Sequence, residues 1–186
     1  MESDATQWST LEAFHALADR ATDKVEACVQ TRPSRSLVFR FALHGEISRL
    51  RIPTPQAPGR AEHLWEHTCF EAFIKQTGSP AYHEFNFAPS RQWAVYGFDD
   101  YRKAISSPRL ERPPQIDVRR TNDRLELDAF VDVQDLIARP APRSLQIGLS
   151  AIIEDREGSL SYWALKHAPD KPDFHSAVAF ALNLSV

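Results

Sequence analysis

The chain has 186 residues, of which 42% are hydrophobic and 25% charged, a balance that suits one globular domain whose core needs no disulfide staples. Its net charge of −3 and its scattered Lys and Arg argue against a nucleic-acid binder, which carries a basic stripe. No run approaches the ~20 apolar residues of a membrane span, and the acidic start "MESDATQWSTLEAF" lacks the basic and apolar regions of a signal peptide.

Those features predict a cytoplasmic protein with no membrane partner, in which Cys28 and Cys69 are reduced thiols. Ser9 followed by Glu12 reads as a capping box, and Leu11, Phe14 and Leu17 recur at helical spacing, so an amphipathic helix is predicted over 10–20. Residues 1–22 would then be a helical extension ahead of a β domain spanning 23–186. Beyond it the chain reads as strands and turns. "SRSLVFRFALHG" alternates Leu37, Phe39, Phe41 and Leu43 against Val38, Arg40, Ala42 and His44, the period of a strand with one buried face.

"HLWEHTCFEAF", from His63 to Phe73, has two incompatible readings. As a helix it sets His63, Glu66 and His67 in the H-x-x-E-H order of a class of zinc peptidase. As a strand it sends Trp65, His67, Cys69, Glu71 and Phe73 to one side, and Phe70, Ala72 and Ile74 to the other. A compact turn, "KQTGSP", and a hairpin, "PAYHEFNFAPSRQWAVYGF", follow directly and favour the strand. Further on, "DRLELDAFV" alternates, "LQIGLSAIIEDREGSLSYWAL" reads as a second hairpin about Glu157 and Gly158, and "AVAFALNL" closes the chain as a strand. Thirteen prolines against six glycines mark stiff connections. Together these elements predict a mainly β fold, an antiparallel β-sandwich with a short N-terminal helix.

Pairing the strands predicts Glu71 opposite Glu84, Cys69 opposite Asn86, and Trp93 opposite Asn86. Phe70, Ile74, Phe85, Phe87, Ala94 and Tyr96 then form the core face. The other face collects Trp65, His67, Glu71, Tyr82, Glu84, Asn86 and Trp93. Two facing glutamates repel, so Arg40 from the neighbouring strand, a shared proton, a cation or a hydroxyl-rich ligand is expected to compensate. Aromatic platforms beside carboxyl groups are the furniture of a sugar site, whereas an Arg-bridged polar sheet face crossed by a loop is the alternative. Tyr162 is expected in the core and Trp163 on the cleft side. The loop "HAPDKPDFH", with His167, Asp170, Asp173 and His175, reads as a clamp at the rim or, more simply, as a proline-shaped connection in which Asp173 caps backbone amides.

The segments "LWEHTCFEAFI", "YHEFNFAPSRQWAVYGFDDYR" and "SYWALKHAPDKPDFH" resemble a bacterial group of the DOMON-like superfamily, related to family 9 carbohydrate-binding modules and to haem- or sugar-binding DOMON domains. The resemblance runs from about Val25 to Leu184. Its W-x-x-x-C-F-E pattern falls on Trp65, Cys69, Phe70 and Glu71, and its E-F-N-x-x-P-S pattern on Glu84, Phe85, Asn86, Pro89 and Ser90. It implies a jelly-roll-like or immunoglobulin-like sandwich with a ligand cleft on one sheet, and binding rather than catalysis. Haem is weakly indicated: those domains use a methionine and a histidine, and this chain has only Met1, so a His67 pair with His175 or His44 would be needed. The reading reached is a non-catalytic binding domain for a carbohydrate or another polyhydroxylated molecule, a monomer or homodimer with no bound cofactor. Its ligand-binding residues would be Trp65, His67, Glu71, Tyr82, Glu84, Asn86, Trp93 and Arg40. The alternatives are a metal-dependent hydrolase built on His63, Glu66 and His67, and a glycosidase using Glu71 and Glu84 as an acid pair.

Overall fold

The computed structural model describes residues 7–15, 21–134, 136–137 and 144–185. In chain order the strands are β1 (Ser9–Thr10), β2 (Glu12–Ala13), β3 (Thr22–Arg32), β4 (Ser36–Gly45), β5 (Gly59–Arg60), β6 (Cys69–Gln76) and β7 (Tyr82–Phe87). There follow β8 (Gln92–Asp100), β9 (Lys103–Ile105), β10 (Gln115–Arg120), β11 (Arg124–Asp132), β12 (Ser144–Glu154), β13 (Leu160–Ala164) and β14 (Leu182–Ser185). One sheet has five strands in the order β1-β3-β4-β11-β10. The other has nine, in the order β2-β13-β12-β6-β7-β8-β5, with β14 added to β12 and β9 to β8. The pairings are antiparallel except for the short parallel contact of β5 with β8.

Alternation decides which way each strand faces. Leu37, Phe39, Phe41 and Leu43 of β4 turn inward beside Leu125, Leu127 and Ala129 of β11. They meet Phe70, Ala72 and Ile74 of β6, Phe85 and Phe87 of β7, and Leu145, Ile147 and Leu149 of β12. Two ring contacts tie the sheets face to face: Phe41 to Phe70 at 5.0 Å and Phe39 to Phe87 at 6.0 Å between centroids. Each such fully buried side chain contributes ~1.5–3 kcal/mol of transfer free energy. The expected antiparallel sandwich is therefore present.

The expected N-terminal helix is not. Ser9 and Thr10 pair with Ala27 and Glu26 of β3, whereas Glu12 and Ala13 pair with Ala164 and Trp163 of β13. Leu11, between the two pairs, is buried in the core, and its N–H donates to the Val25 carbonyl at 2.8 Å. A capping box is worth ~0.5–2 kcal/mol and an isolated short helix is marginal, so burial of Leu11 and pairing to both sheets prevail. Residues 16–20, including Leu17, lie outside the described residues. The closing strand also begins later than its alternation suggests: Ala177–Ala179 form a 3-10 turn with Val178 exposed, and pairing starts at Leu182. Among the described residues no helix is long and apolar enough to cross a membrane.

A second, smaller apolar cluster sits on the outside of the nine-stranded sheet. Phe73, Tyr82, Phe98 and Ile152 from the strands pack there against Phe174 and Phe180 from the segment between β13 and β14. Gly148 lets that segment lie close, since a Cβ there would stand 3.1 Å from the Ala179 carbonyl oxygen and 3.3 Å from Phe73 Cβ. The strap made by this segment builds one wall of the site.

Candidate functional site

The extended reading of His63–Phe73 holds only from Cys69, where β6 starts. Leu64–Glu66 form a single 3-10 turn entered through His63 at φ 60°, and His67 is extended. Within β6, Glu71 and Phe73 point away from the core and Phe70, Ala72 and Ile74 point into it. The pairing puts Glu71 opposite Asn86 and Phe73 opposite Glu84, two residues from the expected register. An even slip preserves the faces, so Glu71 and Glu84 remain on one side as diagonal neighbours. The next strand slips by an odd number: Asn86 meets Ala94 and Glu84 meets Tyr96. That turns Tyr96 and Phe98 outward and sends Trp93 into the core at 8% exposure. On the far side Ile152 pairs with Tyr162, which places Tyr162 in the cleft and buries Trp163 to 3% exposure.

The resulting cleft has a volume of about 390 Å³, within the range of small-molecule sites. Glu71 and Glu84 lie at its floor, with Ile152 beside them. Trp65, Tyr96, Phe98 and Tyr162 rise from the sheet side, and Pro172, Phe174 and His175 come from the strap. Trp65 packs edge-on to Tyr96 with centroids 5.6 Å apart, and the Tyr96 hydroxyl donates to Glu62 Oε2 at 2.8 Å.

A polar network fixes the floor. Ser150 Oγ donates to Glu71 Oε2 at 3.2 Å. Asn86 Nδ2 donates to Glu84 Oε1 at 2.7 Å, and Cys69 Sγ donates to Asn86 Oδ1 at 3.5 Å, which orients the amide. His175 Nε2 stands 3.5 Å from Glu84 Oε2, and its Nδ1 lies 2.8 Å from the Tyr82 hydroxyl. Arg102 Nη2 donates to Asp173 Oδ1 at 2.8 Å, and the Tyr101 hydroxyl donates to Asp173 Oδ2 at 2.5 Å. This clamp holds the strap over the sheet. Asp173 also accepts the His175 N–H at 3.2 Å, the backbone cap expected of it.

The acids are electrostatically unusual. Burial, then repulsion from Glu84, holds the Glu71 carboxyl well above the usual carboxylate range, against a bond from Ser150 and the attraction of Arg102. Glu84 is raised by burial, partly offset by Asn86 and Arg102. The pair therefore holds its last proton to higher pH than a free carboxyl does, Glu71 more strongly than Glu84, because two buried like charges cannot both ionise cheaply. Burial pushes His175 down to about 4, so its ring is neutral there.

Of the eight ligand-binding residues the sequence suggests, Trp65, Glu71 and Glu84 line the cleft. Asn86 lies fully buried behind Glu84. Tyr82 is stacked on Phe98 at 4.7 Å and reaches the cleft only through His175. His67 turns away to Glu154 Oε2 at 2.8 Å, beside Arg51 on the same carboxylate. Trp93 is in the core, because the register places it with Phe87 on the inner face. Arg40 belongs to the other sheet and points outward, its Nε 3.8 Å from Asp128 Oδ1; the full thickness of the sandwich separates it from the acids. Tyr96 and Phe98 were hidden by the odd register step. Arg102, Phe174 and His175 arrive from connections, and only the proline-rich "HAPDKPDFH" signalled any of them.

The H-x-x-E-H stretch does not form a helix face. His63 Nδ1 lies 3.4 Å from Glu66 Oε1 while His67 faces Glu154, and among the described residues no group of three or more His, Cys, Asp and Glu side chains is arranged to hold a metal ion. The histidine pair that a haem would need is not brought together: His175 lines the cleft, His67 faces Glu154, and His44 lies on the other sheet beside Glu26.

The chain matches no family model and no curated protein. Its fold is similar to that of a Bacteroides uniformis crystal structure named a "putative carbohydrate-binding protein", with a TM-score of 0.62 and 12% identity. That match covers 98% of this chain and 87% of the other. A likeness at that identity speaks for a shared fold.

Proposed function

We propose that this protein is a non-catalytic binding domain of DOMON-like type, cytoplasmic, whose cleft takes a carbohydrate or another polyhydroxylated small molecule. The observation that carries the reading is the pairing of Glu71 and Glu84 at the floor of a cleft walled by Trp65, Tyr96, Phe98, Tyr162 and Phe174. A sugar ring offers an apolar face to aromatic walls and hydroxyl pairs to carboxyl oxygens. Glu84 and Glu71 offer carboxyl oxygens as acceptors for such groups. The name of the Bacteroides uniformis protein supports the same ligand class.

Titration calorimetry against a panel of mono- and oligosaccharides tests this. Trp65→Ala and Tyr162→Ala, both at half-buried walls, should each weaken the binding by ~10-fold or more while leaving the thermal midpoint nearly unchanged. Absence of binding across the panel, or wild-type affinity in both variants, would refute the reading.

A further inference from the structure

Among the described residues no lysine or arginine is ion-paired with the cleft's acids, although Arg102 attracts both from a distance. Arg102, the one lysine or arginine among the lining residues, already donates to Asp173 at 2.8 Å. His175 turns Nδ1 to the Tyr82 hydroxyl and Nε2 to Glu84 Oε2. Glu71 is 3% exposed and lines the cleft, yet among the described residues its carboxyl takes one hydrogen bond, from Ser150 to Oε2. Its Oε1 has no hydrogen-bond partner among the described residues. Oε1 is not among the sealed, partnerless polar atoms, so a donor that enters the cleft can reach it.

The walls narrow the chemistry of the missing donor. Aromatic faces carry negative potential and attract cations, and nearby carboxyl groups add to the attraction. Ca²⁺ or Mg²⁺ prefers a shell of six or more oxygens, which two carboxyl groups among rings do not supply, and among the described residues no three His, Cys, Asp or Glu side chains are grouped to hold a metal ion. An organic ammonium suits both, since it gives hydrogen bonds to the acids and lays its C–H groups on the rings. We infer that the cleft selects an aminated ligand, an amino sugar or a similar amino polyol, whose ammonium sits between Glu71 and Glu84 beneath the aromatic walls. The inference rests on the proposed binding role of this cleft and narrows its ligand class.

Such binding expels a proton. The ammonium favours ionisation of both acids, so the proton held by the free pair is released and affinity rises as pH rises toward neutrality. The other groups facing the acids hold their charge over that interval. Cys69 and Tyr82 are pushed up, chiefly by burial, and stay protonated, as does Tyr96. Asp173 is pulled down by Tyr101 and Arg102 against burial and stays ionised, while His175 is neutral. Glu154, also on β12, is engaged by Arg51 and His67.

Calorimetry comparing glucosamine, galactosamine and mannosamine with their parent hexoses and N-acetyl derivatives is the test, run in buffers of different ionisation heat between about pH 5.5 and 7.5. At least one amine should bind ~10-fold or more tightly than both neutral counterparts, with proton release and with affinity rising across that range. Glu71→Gln, checked for folding by circular dichroism, should bring amine and neutral sugar within ~2-fold of each other; Trp65→Ala should weaken the amine by a similar ~10-fold. Neutral sugars binding as well as the amines would overturn this inference and leave the carbohydrate role standing. Failure of every sugar in the panel, charged and neutral, would overturn both.

Discussion

The Tyr82 hydroxyl lies 2.8 Å from Nδ1 of His175, and it also accepts the Arg102 N–H at 3.1 Å. The hydroxyl therefore joins the strap histidine to the backbone after β8, while Nε2 of the same ring stands 3.5 Å from Glu84 Oε2. One hydroxyl from the sheet thus holds a strap residue beside the cleft's acid.

The same contact gives the strap a pH dependence. Burial lowers His175 to about 4 in the folded protein, against ~6.5 when unfolded. The unfolded chain therefore binds the extra proton first as pH falls. Stability from this residue is fully present above ~6.5 and is lost between there and about 4. Thermal denaturation of wild type against His175→Gln should show the variant losing less stability over that interval. Parallel profiles would assign the acid sensitivity elsewhere.

Glu71 has the opposite sign. Its folded value is raised well above the ordinary range, so its contribution is intact below ~4.5 and declines as pH rises toward that raised value. Glu71→Gln keeps the shape and the Ser150 contact without the charge. Relative to wild type it should gain stability as pH rises above ~4.5. A difference in urea midpoint that does not change with pH would contradict a buried proton at this position.

Two tryptophans that look alike in sequence should behave in opposite ways. Trp93 is packed between the sheets, and Trp65 stands half-exposed at the cleft. Trp93→Ala should cost ~3–5 kcal/mol in urea unfolding, as large core truncations do. Trp65→Ala should cost ~1 kcal/mol or less and act on binding instead. Equal costs would mean that the register of β8 is not the one described.

These tryptophans also show how far the sequence is legible. Period-2 alternation locates β4, β6, β7 and β11 and their inward faces, because Phe39, Phe41, Phe70 and Phe85 leave no other burial pattern. It also puts Glu71 and Glu84 on one face, whatever even slip occurs. It cannot count residues through a turn. The Ala88–Arg91 connection shifts β8 by one from the expected pairing, and that single residue exchanges Trp93 for Tyr96. Arg40 fails for a different reason: neighbouring alternation does not tell which sheet a strand joins. The capping box at Ser9 and Glu12 is a local preference overruled by the burial of Leu11, and His175 and Arg102 come from connections whose paths no periodicity encodes.

The clamp of Asp173 on Arg102 and Tyr101 should govern how firmly the strap closes the cleft. Asp173 is 4% exposed and accepts three hydrogen bonds, two from side chains across the cleft rim and one from the His175 backbone. Asp173→Asn keeps the size but removes the charge that holds Arg102, and bonds to a charged partner contribute ~1.5–3 kcal/mol each when buried and less where, as at Arg102, the donor is half exposed. The loss should be local, since the strap rests on the outer cluster of Phe73 and Phe180 rather than in the main core. Hydrogen exchange followed by mass spectrometry should therefore show faster exchange in peptides covering 166–176, with β4 and β12 protected as in wild type. Affinity for the proposed ligand should fall in parallel, because Phe174 and His175 would no longer be held at the cleft wall. Unchanged exchange in that segment would mean that apolar packing alone fixes the strap; uniform loss of protection would mean that Asp173 supports the whole sandwich.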